Sequence, residues 1–276
     1  MDFIQVSIKA PEELTDIITA ELSQVGYDTF METENGLCAY ITEATFSEPE
    51  LKAVLHKYQD MATLPYSTEK IPQQNWNEEW EKNFEPLLIS GICSVRASFH
   101  PQPPNVPYDI VINPKMSFGT GHHETTTLMI QNQLDLDLAG KRVLDMGCGT
   151  GILAILAAKL GAKEVVAVEI EDWTVENARE NAALNETPVE VRLGDVNQIQ
   201  NDQPYDIILA NINRNVLLAD IPIYTTHLRP GGTLIISGFY FEDLEAIRSM
   251  AENSGLVYKS RREKNNWLSV VMEKNN

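Results

Sequence analysis

Cysteine is scarce in this sequence, and its spacing argues against two ways of stabilising a fold. The 276 residues contain only Cys38, Cys93 and Cys148, and no two of these form a C-x-x-C pair. This spacing indicates neither a disulfide framework nor a zinc site. No stretch approaches the ~18 apolar residues of a membrane-spanning helix, and residues 1–14 lack the basic segment of a secretion signal. We therefore expect a cytoplasmic, reduced protein with no membrane partner.

Positive charge is the second shortage. The chain has 21 lysines and arginines against 40 aspartates and glutamates, which gives a formal net charge of −19. An acidic surface repels phosphate backbones, so we expect no direct nucleic-acid partner. The same charge would attract a cationic partner, although solubility alone is the alternative explanation. Internal repeats and low-complexity tracts are absent, and the length allows one large domain or two modest ones.

The most informative segment is Arg142–Ile170, RVLDMGCGTGILAILAAKLGAKEVVAVEI. Its pattern predicts a buried strand, a glycine loop, an apolar helix and a second strand that ends at Glu169. A tight turn at Gly147 and Gly149 would let a ligand approach the backbone closely. An acidic residue about twenty positions later is placed to accept hydrogen bonds from ribose hydroxyls. The segment therefore predicts a site for a cofactor that contains adenosine.

The glycine spacing indicates which kind of cofactor binds. The spacing is G-x-G-x-G, preceded by Asp145, whereas the dinucleotide fingerprint is G-x-G-x-x-G. No basic residue lies between Asp145 and Lys159 to favour a phosphate. A cofactor with an amino-acid tail and no phosphate fits better. The alternatives are a nicotinamide-dependent dehydrogenase, which the spacing disfavours, and a βαβ turn that binds no nucleotide.

The N-terminal region predicts a separate small domain. Residues 1–70 give the element order β-α-β-β-α-β, which is the ferredoxin-like pattern. They contain no cluster of catalytic residue types, so recognition is a more plausible role than chemistry. Residues 71–86 predict a linker helix with Trp76, Trp80 and Phe84 on one face. A packed linker helix is one interpretation of that pattern, and an acidic wall near a cationic substrate is the other.

From residue 87 onward, strands alternate with helices and the chain finishes in a strand pair. The loop sequence NPKMSFGTGHHETTT leads into a helix predicted from about Thr126. The hydroxyls of Thr125 and Thr126 could cap this helix or meet the cofactor's carboxylate. His122 and His123 do not predict a metal site, because adjacent residues point in different directions and the HEXXH spacing is absent. Further along, we expect a helix over 217–228 that is interrupted or restarted by a proline.

Two polar residues follow predicted strands of this region. Asp195 comes after the third strand of the predicted sheet, where an adenine amino group would lie, although an ordinary polar turn explains it as well. Asn211 begins the run Asn-Ile-Asn-Arg at the carboxyl end of the fourth strand. Ligands in open α/β sheets bind at such carboxyl ends.

Four segments together carry a family resemblance: FGTGHHETT, LDMGCGTGILAI, AVEIED and LANIN. The glycine segment is similar to motif one of class I S-adenosylmethionine methyltransferases, and the four together resemble the PrmA family of ribosomal-protein methyltransferases. The resemblance implies an α/β fold in which a small α+β ferredoxin-like domain precedes a seven-stranded, Rossmann-like class I methyltransferase sheet. It divides the chain into a recognition domain over 1–70, a linker over 71–86 and a methyltransferase domain over 87–276.

The resemblance also implies ligands and site residues. The cofactor is S-adenosylmethionine without a metal, and the acceptors are lysine side-chain and N-terminal amines of large-subunit ribosomal protein eleven. The family's cofactor contacts correspond to Thr126, Gly147, Glu169 and Asn211, and we add Gly149, Phe118 and Asp195 to the cofactor site.

Asn211 is also the expected catalytic residue, accepting a hydrogen bond from the amine and aligning it. Many amine methyltransferases have Asn-Pro-Pro-aromatic at this position, so the run Asn-Ile-Asn-Arg leaves open how the amine is held. No general base is evident, and His122 and His123 are the only candidates. Other possible acceptors are a small molecule, a nucleobase or another protein, and the pocket could also belong to a non-catalytic module. We expect a monomer.

Overall fold

The chain folds into two compact units, residues 1–83 and 84–276. A computed structural model of the chain describes residues 3–33, 35–71, 85–113, 119, 121 and 123–275. The predicted linker helix with Trp76, Trp80 and Phe84 lies outside the described residues. In the part of the chain that the structure describes, no helix is both long and apolar enough to cross a membrane.

The N-terminal unit is a four-stranded antiparallel sheet with two helices. Its elements are β1 (Phe3–Lys9), α1 (Glu12–Gln24), β2 (Thr29–Thr33), β3 (Gly36–Thr42), α2 (Glu48–His56) and β4 (Tyr66–Ile71). The strands lie in the order β2-β3-β1-β4, and neighbouring strands are antiparallel. Alternate residues of β1, namely Ile4, Val6 and Ile8, are buried in a core with residues of both helices. The element order is the predicted β-α-β-β-α-β.

The second unit contains most of the secondary structure. It begins with β5 (Leu87–Ile89), β6 (Cys93–Arg96), β7 (Tyr108–Val111) and α3 (Glu124–Leu134). It continues with β8 (Arg142–Met146), α4 (Ile152–Lys159), β9 (Glu164–Glu169), α5 (Asp172–Leu184), β10 (Val189–Leu193) and β11 (Tyr205–Asn211). The last elements are α6 (Arg214–His227), β12 (Leu228–Tyr240), α7 (Leu244–Asn253), β13 (Leu256–Lys264) and β14 (Trp267–Lys274). Strands β5, β6 and β7 form a small sheet of their own.

The main sheet has seven strands in the order β10-β9-β8-β11-β12-β14-β13. The first five are parallel, whereas β14 is antiparallel to both β12 and β13. This arrangement confirms the predicted α/β fold. From β8 the chain winds outward to β9 and β10, and from β11 it winds the other way. The carboxyl ends of β8 and β11 therefore meet at a topological switch point, where open α/β sheets bind ligands.

Alternation along the parallel strands gives the main sheet two apolar faces. One face carries Val143, Ala167 and Leu209 and packs with helices α3, α4 and α5. The other face carries Leu144, Val168 and Ala210 and packs with helices α6 and α7. Because strands buried on both faces must be apolar almost throughout, the runs VVAV and IILA mark the centre of this sheet.

Helix α6 differs from the sequence-based prediction at its start and in its middle. A helix over 217–228 interrupted at Pro222 is wrong, because α6 begins at Arg214 and continues through Pro222. The side chain of Asn213 caps the helix by accepting a hydrogen bond from the Val216 N–H at 3.2 Å. Pro222 is exposed, so the carbonyl that loses its N–H partner to the ring can bond to water instead.

Candidate active site

The glycine loop after β8 turns tightly around the end of β9. Gly147, Gly149 and Gly151 have φ values of +65°, +54° and +80°, in the left-handed region that favours glycine. The N–H groups of Gly147 and Cys148 both donate to the Val168 carbonyl, at 2.9 and 3.1 Å. The predicted strand–loop–helix unit is therefore present, and its backbone lies at the switch point of the sheet.

Glu169 ends β9 with its carboxylate directed at this loop. One carboxylate oxygen accepts a hydrogen bond from the Gly149 N–H at 3.0 Å, and the other accepts from the N–H groups of Ile170 and Glu171 at 2.8 and 3.3 Å. The residue is 9% exposed. A carboxylate offers about four acceptor positions, so three backbone donors leave capacity for a ligand hydroxyl. The geometry is compatible with ribose binding, which stays a prediction.

Asp145, which precedes the glycine loop, is fully buried. Its Oδ2 accepts from the Ala154 N–H at 3.1 Å, whereas Oδ1 has no hydrogen-bond partner among the described residues. Burial raises the pKa of this carboxyl group to about 7. A buried acceptor without a donor is costly, and a ligand with an N–H donor would satisfy it. The sequence analysis used Asp145 only as a marker of spacing, and its buried oxygen makes it a further candidate ligand contact.

Asn211 and Thr126 come together from different elements. The Asn211 Nδ2 donates to Thr126 Oγ1 at 3.5 Å, and Asn211 Oδ1 is buried with no hydrogen-bond partner in the described part of the chain. Thr126 is 1% exposed. The start of helix α3 is capped by His123, whose side chain accepts from the Thr125 N–H at 3.3 Å, so neither threonine caps the helix. The Thr126 hydroxyl is therefore available for the other predicted role, contact with the cofactor's carboxylate, which stays a prediction.

Ile212 fixes the spacing between two glycines, a role that the sequence did not reveal. A Cβ at Gly147 would lie 2.3 Å from Ile212 Cγ2, and a Cβ at Gly238 would lie 2.2 Å from the Ile212 carbonyl oxygen. Both contacts are far shorter than van der Waals distance. Ile212, the residue after β11, thus lies between these two glycines, its side chain against Gly147 and its backbone against Gly238. Asn211, which precedes it, therefore lies next to the glycine loop.

Asp195 follows β10, the strand beside β9. Its carboxylate accepts hydrogen bonds from the backbone N–H of Asn197 at 2.9 Å and from the Asn197 side chain at 2.9 and 3.0 Å. These bonds lower the pKa of the exposed carboxyl group. This is the polar-turn arrangement, and the adenine contact stays a prediction. Phe118 and His122 lie outside the described residues.

Two asparagines of α5 and the asparagine that caps its C-terminus attach neighbouring backbone to the site. Asn177, Asn181 and Asn185 recur every four residues and therefore share one helix face. Five hydrogen bonds link their side chains to backbone groups of other segments. Asn177 donates to the Asn113 carbonyl at 3.0 Å, and Asn181 accepts from the Asn113 N–H at 2.8 Å and donates to the Thr150 carbonyl at 3.0 Å. Asn185 accepts from the Val111 N–H at 2.9 Å and donates to the Val111 carbonyl at 2.6 Å. We call these three residues the asparagine ladder.

The ladder connects two segments that the sequence analysis placed near the cofactor. Thr150 belongs to the glycine loop, and its hydroxyl donates to the Gly119 carbonyl at 2.5 Å. Asn113 leads into the segment that contains Gly119. The spacing N-x-x-x-N-x-x-x-N was the available sequence signal, but its partners are backbone groups that only the fold reveals. Among the residues the structure describes, no group of three or more histidines, cysteines or acidic residues is arranged to hold a metal ion.

The strand order, with its antiparallel final strand, and the glycine loop at the switch point define a class I S-adenosylmethionine-dependent methyltransferase fold. A solved structure with a similar fold is the ribosomal protein L11 methylase from Lactobacillus delbrueckii subsp. bulgaricus. It superposes with a TM-score of 0.64 at 28% sequence identity and covers 70% of this chain and 100% of that chain.

Sequence comparison is more specific. The family described as ribosomal protein L11 methyltransferase (PrmA) matches residues 3–275. The ribosomal protein L11 methyltransferase of Porphyromonas gingivalis is 48% identical, over 94% of this chain and 92% of the relative. That of Chlorobaculum parvum is 34% identical, over 99% of this chain and 97% of the relative. The chain belongs to the ribosomal protein L11 methyltransferase (PrmA) family.

Proposed function

We propose that this protein transfers methyl groups from S-adenosylmethionine to lysine side-chain and N-terminal amines of ribosomal protein L11. The two relatives described above, matched over 92% and 97% of their own length, are named ribosomal protein L11 methyltransferase. The observation that carries the chemistry is the buried Oδ1 of Asn211 beside the glycine loop, which has no hydrogen-bond partner among the described residues. A neutral amine has N–H groups that such an acceptor can bind.

The polar groups around the glycine loop fit the proposed cofactor. Gly147 and Gly149 bring backbone to the ligand, Glu169 retains acceptor capacity for ribose hydroxyls, and Asp145 Oδ1 lacks a donor among the described residues. We assign the adenine end to Phe118 and Asp195. When bound, S-adenosylmethionine supplies a methyl group on a positively charged sulfur.

The role of Asn211 follows from the proton balance of the acceptor. A lysine has a pKa of about 10.4 in water and must lose a proton before its nitrogen can attack. A site that excludes water favours the neutral amine. By accepting a hydrogen bond from that amine, Asn211 Oδ1 would direct the nitrogen lone pair towards the methyl group, and Thr126 would hold the Asn211 amide in place.

We also propose a division of labour between the two units. Residues 1–70 would recognise the ribosomal protein, 71–86 would form the linker and 87–276 would carry the methyltransferase site. The N-terminal unit has its own buried core, which supports an independent recognition module. The acidic net charge favours a basic protein as partner.

The direct test incubates the protein with labelled S-adenosylmethionine and the ribosomal proteins of its own source. We expect label in ribosomal protein L11, with mass spectrometry locating it on amines. The matched variant is Asn211→Ala, which should lose at least a hundredfold in turnover at saturating cofactor, about 2.7 kcal/mol. Label in a small molecule or in another protein would contradict the proposed substrate.

A second test addresses the cofactor site alone. Replacing Glu169 by alanine removes the ribose acceptor and the anchor of the Gly149 N–H, so cofactor binding should weaken by about 1–3 kcal/mol. Isothermal titration calorimetry measures the change, and Asp172→Ala on the same side of the sheet is a surface control. Normal cofactor binding by the alanine variant would show that Glu169 only braces the loop.

A further inference from the structure

Three aromatic side chains meet at the carboxyl edge of the main sheet, beyond Asn211. The ring centroids of Tyr240 and Trp267 are 4.0 Å apart, and those of His123 and Trp267 are 4.8 Å apart with the rings nearly perpendicular. Tyr240 is 44% exposed, and Trp267 and His123 are partly exposed. We call these three residues the aromatic wall. The three side chains are therefore partly accessible to solvent, and none of them belongs to the glycine loop or to one of the hydrophobic core clusters.

The wall and Asn211 are connected by one turn of helix. His123 caps α3, and Thr126, the partner of Asn211, lies three residues further along, within one helical pitch of about 5.4 Å. Asn211 contacts Thr126 and Trp267 contacts His123, and both partners belong to the start of α3. Asn211 and the wall therefore lie on the same side of the sheet. The strands agree, because Asn211 is aligned with Ser237 in β12 and that strand continues to Tyr240, which is paired with Trp267.

Two carboxylates lie close to wall residues along the chain: Glu124 follows His123, and Glu242 lies two residues after Tyr240. Glu124 accepts a hydrogen bond from the Asn265 side chain at 2.8 Å, and Glu242 accepts from the Asn266 side chain at 3.1 and 3.2 Å. These two asparagines form the turn that leads into Trp267. Aromatic faces flanked by carboxylates suit a cation, because the ring quadrupole and the carboxylates attract the same charge.

We propose that the aromatic wall binds the alkylammonium group of the methyl-accepting side chain, in its unmethylated and its methylated forms. This rests on the proposed function, which makes the acceptor an amine. Asn211 Oδ1 can hold an amine only while it has an N–H group, whereas aromatic faces attract the cation whatever the number of methyl groups. As methyl groups replace the N–H groups that bond to Asn211, the aromatic wall continues to hold the alkylammonium group.

The kinetic test uses the full-length protein with ribosomal protein L11. Trp267→Leu and Tyr240→Leu should each raise the KM for the acceptor about 3- to 30-fold and lower the share of the most highly methylated product. Trp267→Phe should restore most of the lost affinity, because it keeps an aromatic face. The cofactor Kd, measured by calorimetry, should not change in any of these variants. The matched control is Phe241→Leu, since Phe241 is exposed beside the wall but its ring faces Arg261.

A binding test separates this proposal from the proposed function. Choline should shift the indole N–H resonance of Trp267 in the NMR spectrum, identified by its absence in Trp267→Phe, whereas the neutral isostere 3,3-dimethylbutan-1-ol should not. Such a shift without methylation of L11 would contradict the proposed substrate but support the cation site. Methylation of L11 with unchanged acceptor KM in both leucine variants, and no choline shift, would overturn the aromatic wall.

Discussion

Gly147 shows how strongly one backbone position can depend on a side chain from another loop. Its positive φ already disfavours any other residue. The 2.3 Å separation between a Cβ at this position and Ile212 adds a collision inside the protein itself. A larger side chain here would thus push Ile212, and Asn211 with it, before it reached a ligand.

A double-mutant cycle tests this coupling. Gly147→Ala should weaken cofactor binding and lower stability, with about 1–2 kcal/mol arising from the left-handed backbone alone. In an Ile212→Ala background the additional cost should be smaller by at least 0.5 kcal/mol, because the collision is removed. Calorimetry and urea unfolding measure the two effects. Strictly additive effects would show that the Ile212 side chain can move away from a Cβ at position 147 without loss of stability or cofactor affinity.

Asp145 gives stability a pH dependence of unusual sign. The pKa of its carboxyl group is about 7 in the folded chain against 3.8 ordinarily. Between these values the folded state holds a proton that the unfolded state lacks, so stability falls as pH rises from about 4 to 7. Asp145→Asn should remove this loss, which amounts to at most about 4 kcal/mol.

The measurement is urea unfolding of the cofactor-free protein at pH 5 and pH 8. The variant should gain more stability over the wild type at pH 8 than at pH 5, because only about a third of the loss has accumulated by pH 5. Asp195→Asn is the control, because hydrogen bonds from Asn197 lower the pKa of that carboxyl group and its contribution is complete above the ordinary value. An equal difference between Asp145→Asn and wild type at both pH values would contradict the buried proton.

At the scale of single residues, the sequence predicts what is local and misses what is not. Gly147, Gly149 and Glu169 belong to one strand–loop–helix–strand unit, so their pattern was enough to place them together. The close contact between Ile212 and Gly147 joins the loops that follow two separate strands and leaves no periodic signal. The cap of α3 was also missed, since a histidine rarely competes with adjacent threonines for that role.

Among the elements, helix α5 shows a role that hydrophobic periodicity does not describe. Its asparagine ladder satisfies the backbone groups of residues 111 and 113 and the Thr150 carbonyl, as a neighbouring strand would. A polar stripe on a helix normally indicates a solvated face. Here Asn177 and Asn181 are fully buried, and the stripe carries hydrogen bonds to two loops.

Replacement of the central asparagine tests the ladder. Asn181→Ala leaves the Asn113 N–H and the Thr150 carbonyl without partners, so the free energy of unfolding should fall by about 1–3 kcal/mol. The KM for S-adenosylmethionine should rise as well, because Thr150 lies in the glycine loop. Glu176→Ala, in an exposed ion pair with Arg179 on the same helix, should change stability by less than about 1 kcal/mol. Equal effects of the two substitutions would argue against the ladder.

Element boundaries were predictable where apolar runs or glycines mark them, as for β8, β9 and the final strand pair. Strand β7 has only four residues and follows a proline-rich loop, so its sequence gave no alternation to detect. Pro222 favoured a helix break, but its exposed position lets α6 continue. In both cases the tertiary environment, which the sequence does not display, decides the outcome.

For the whole molecule, the two units differ in what they should retain when separated. The core of residues 4–55 and the two cores of the second unit share no member among the described residues. A variant lacking residues 1–83 should therefore bind S-adenosylmethionine with unchanged Kd and fail to methylate ribosomal protein L11. Calorimetry and a filter assay with labelled cofactor check both statements. Methylation of L11 at the wild-type rate would show that recognition resides in the second unit.

The first turn of α3 would couple the two proposed ligand sites. If Thr126 contacts the cofactor and His123 the acceptor, as proposed above, a tilt of this turn would displace both groups together. Linkage then requires that the cofactor changes the affinity for the acceptor by the same factor as the acceptor changes the affinity for the cofactor. The enzyme would thus sense whether its methyl donor is loaded through a single turn of helix, without rearranging the rest of the sheet.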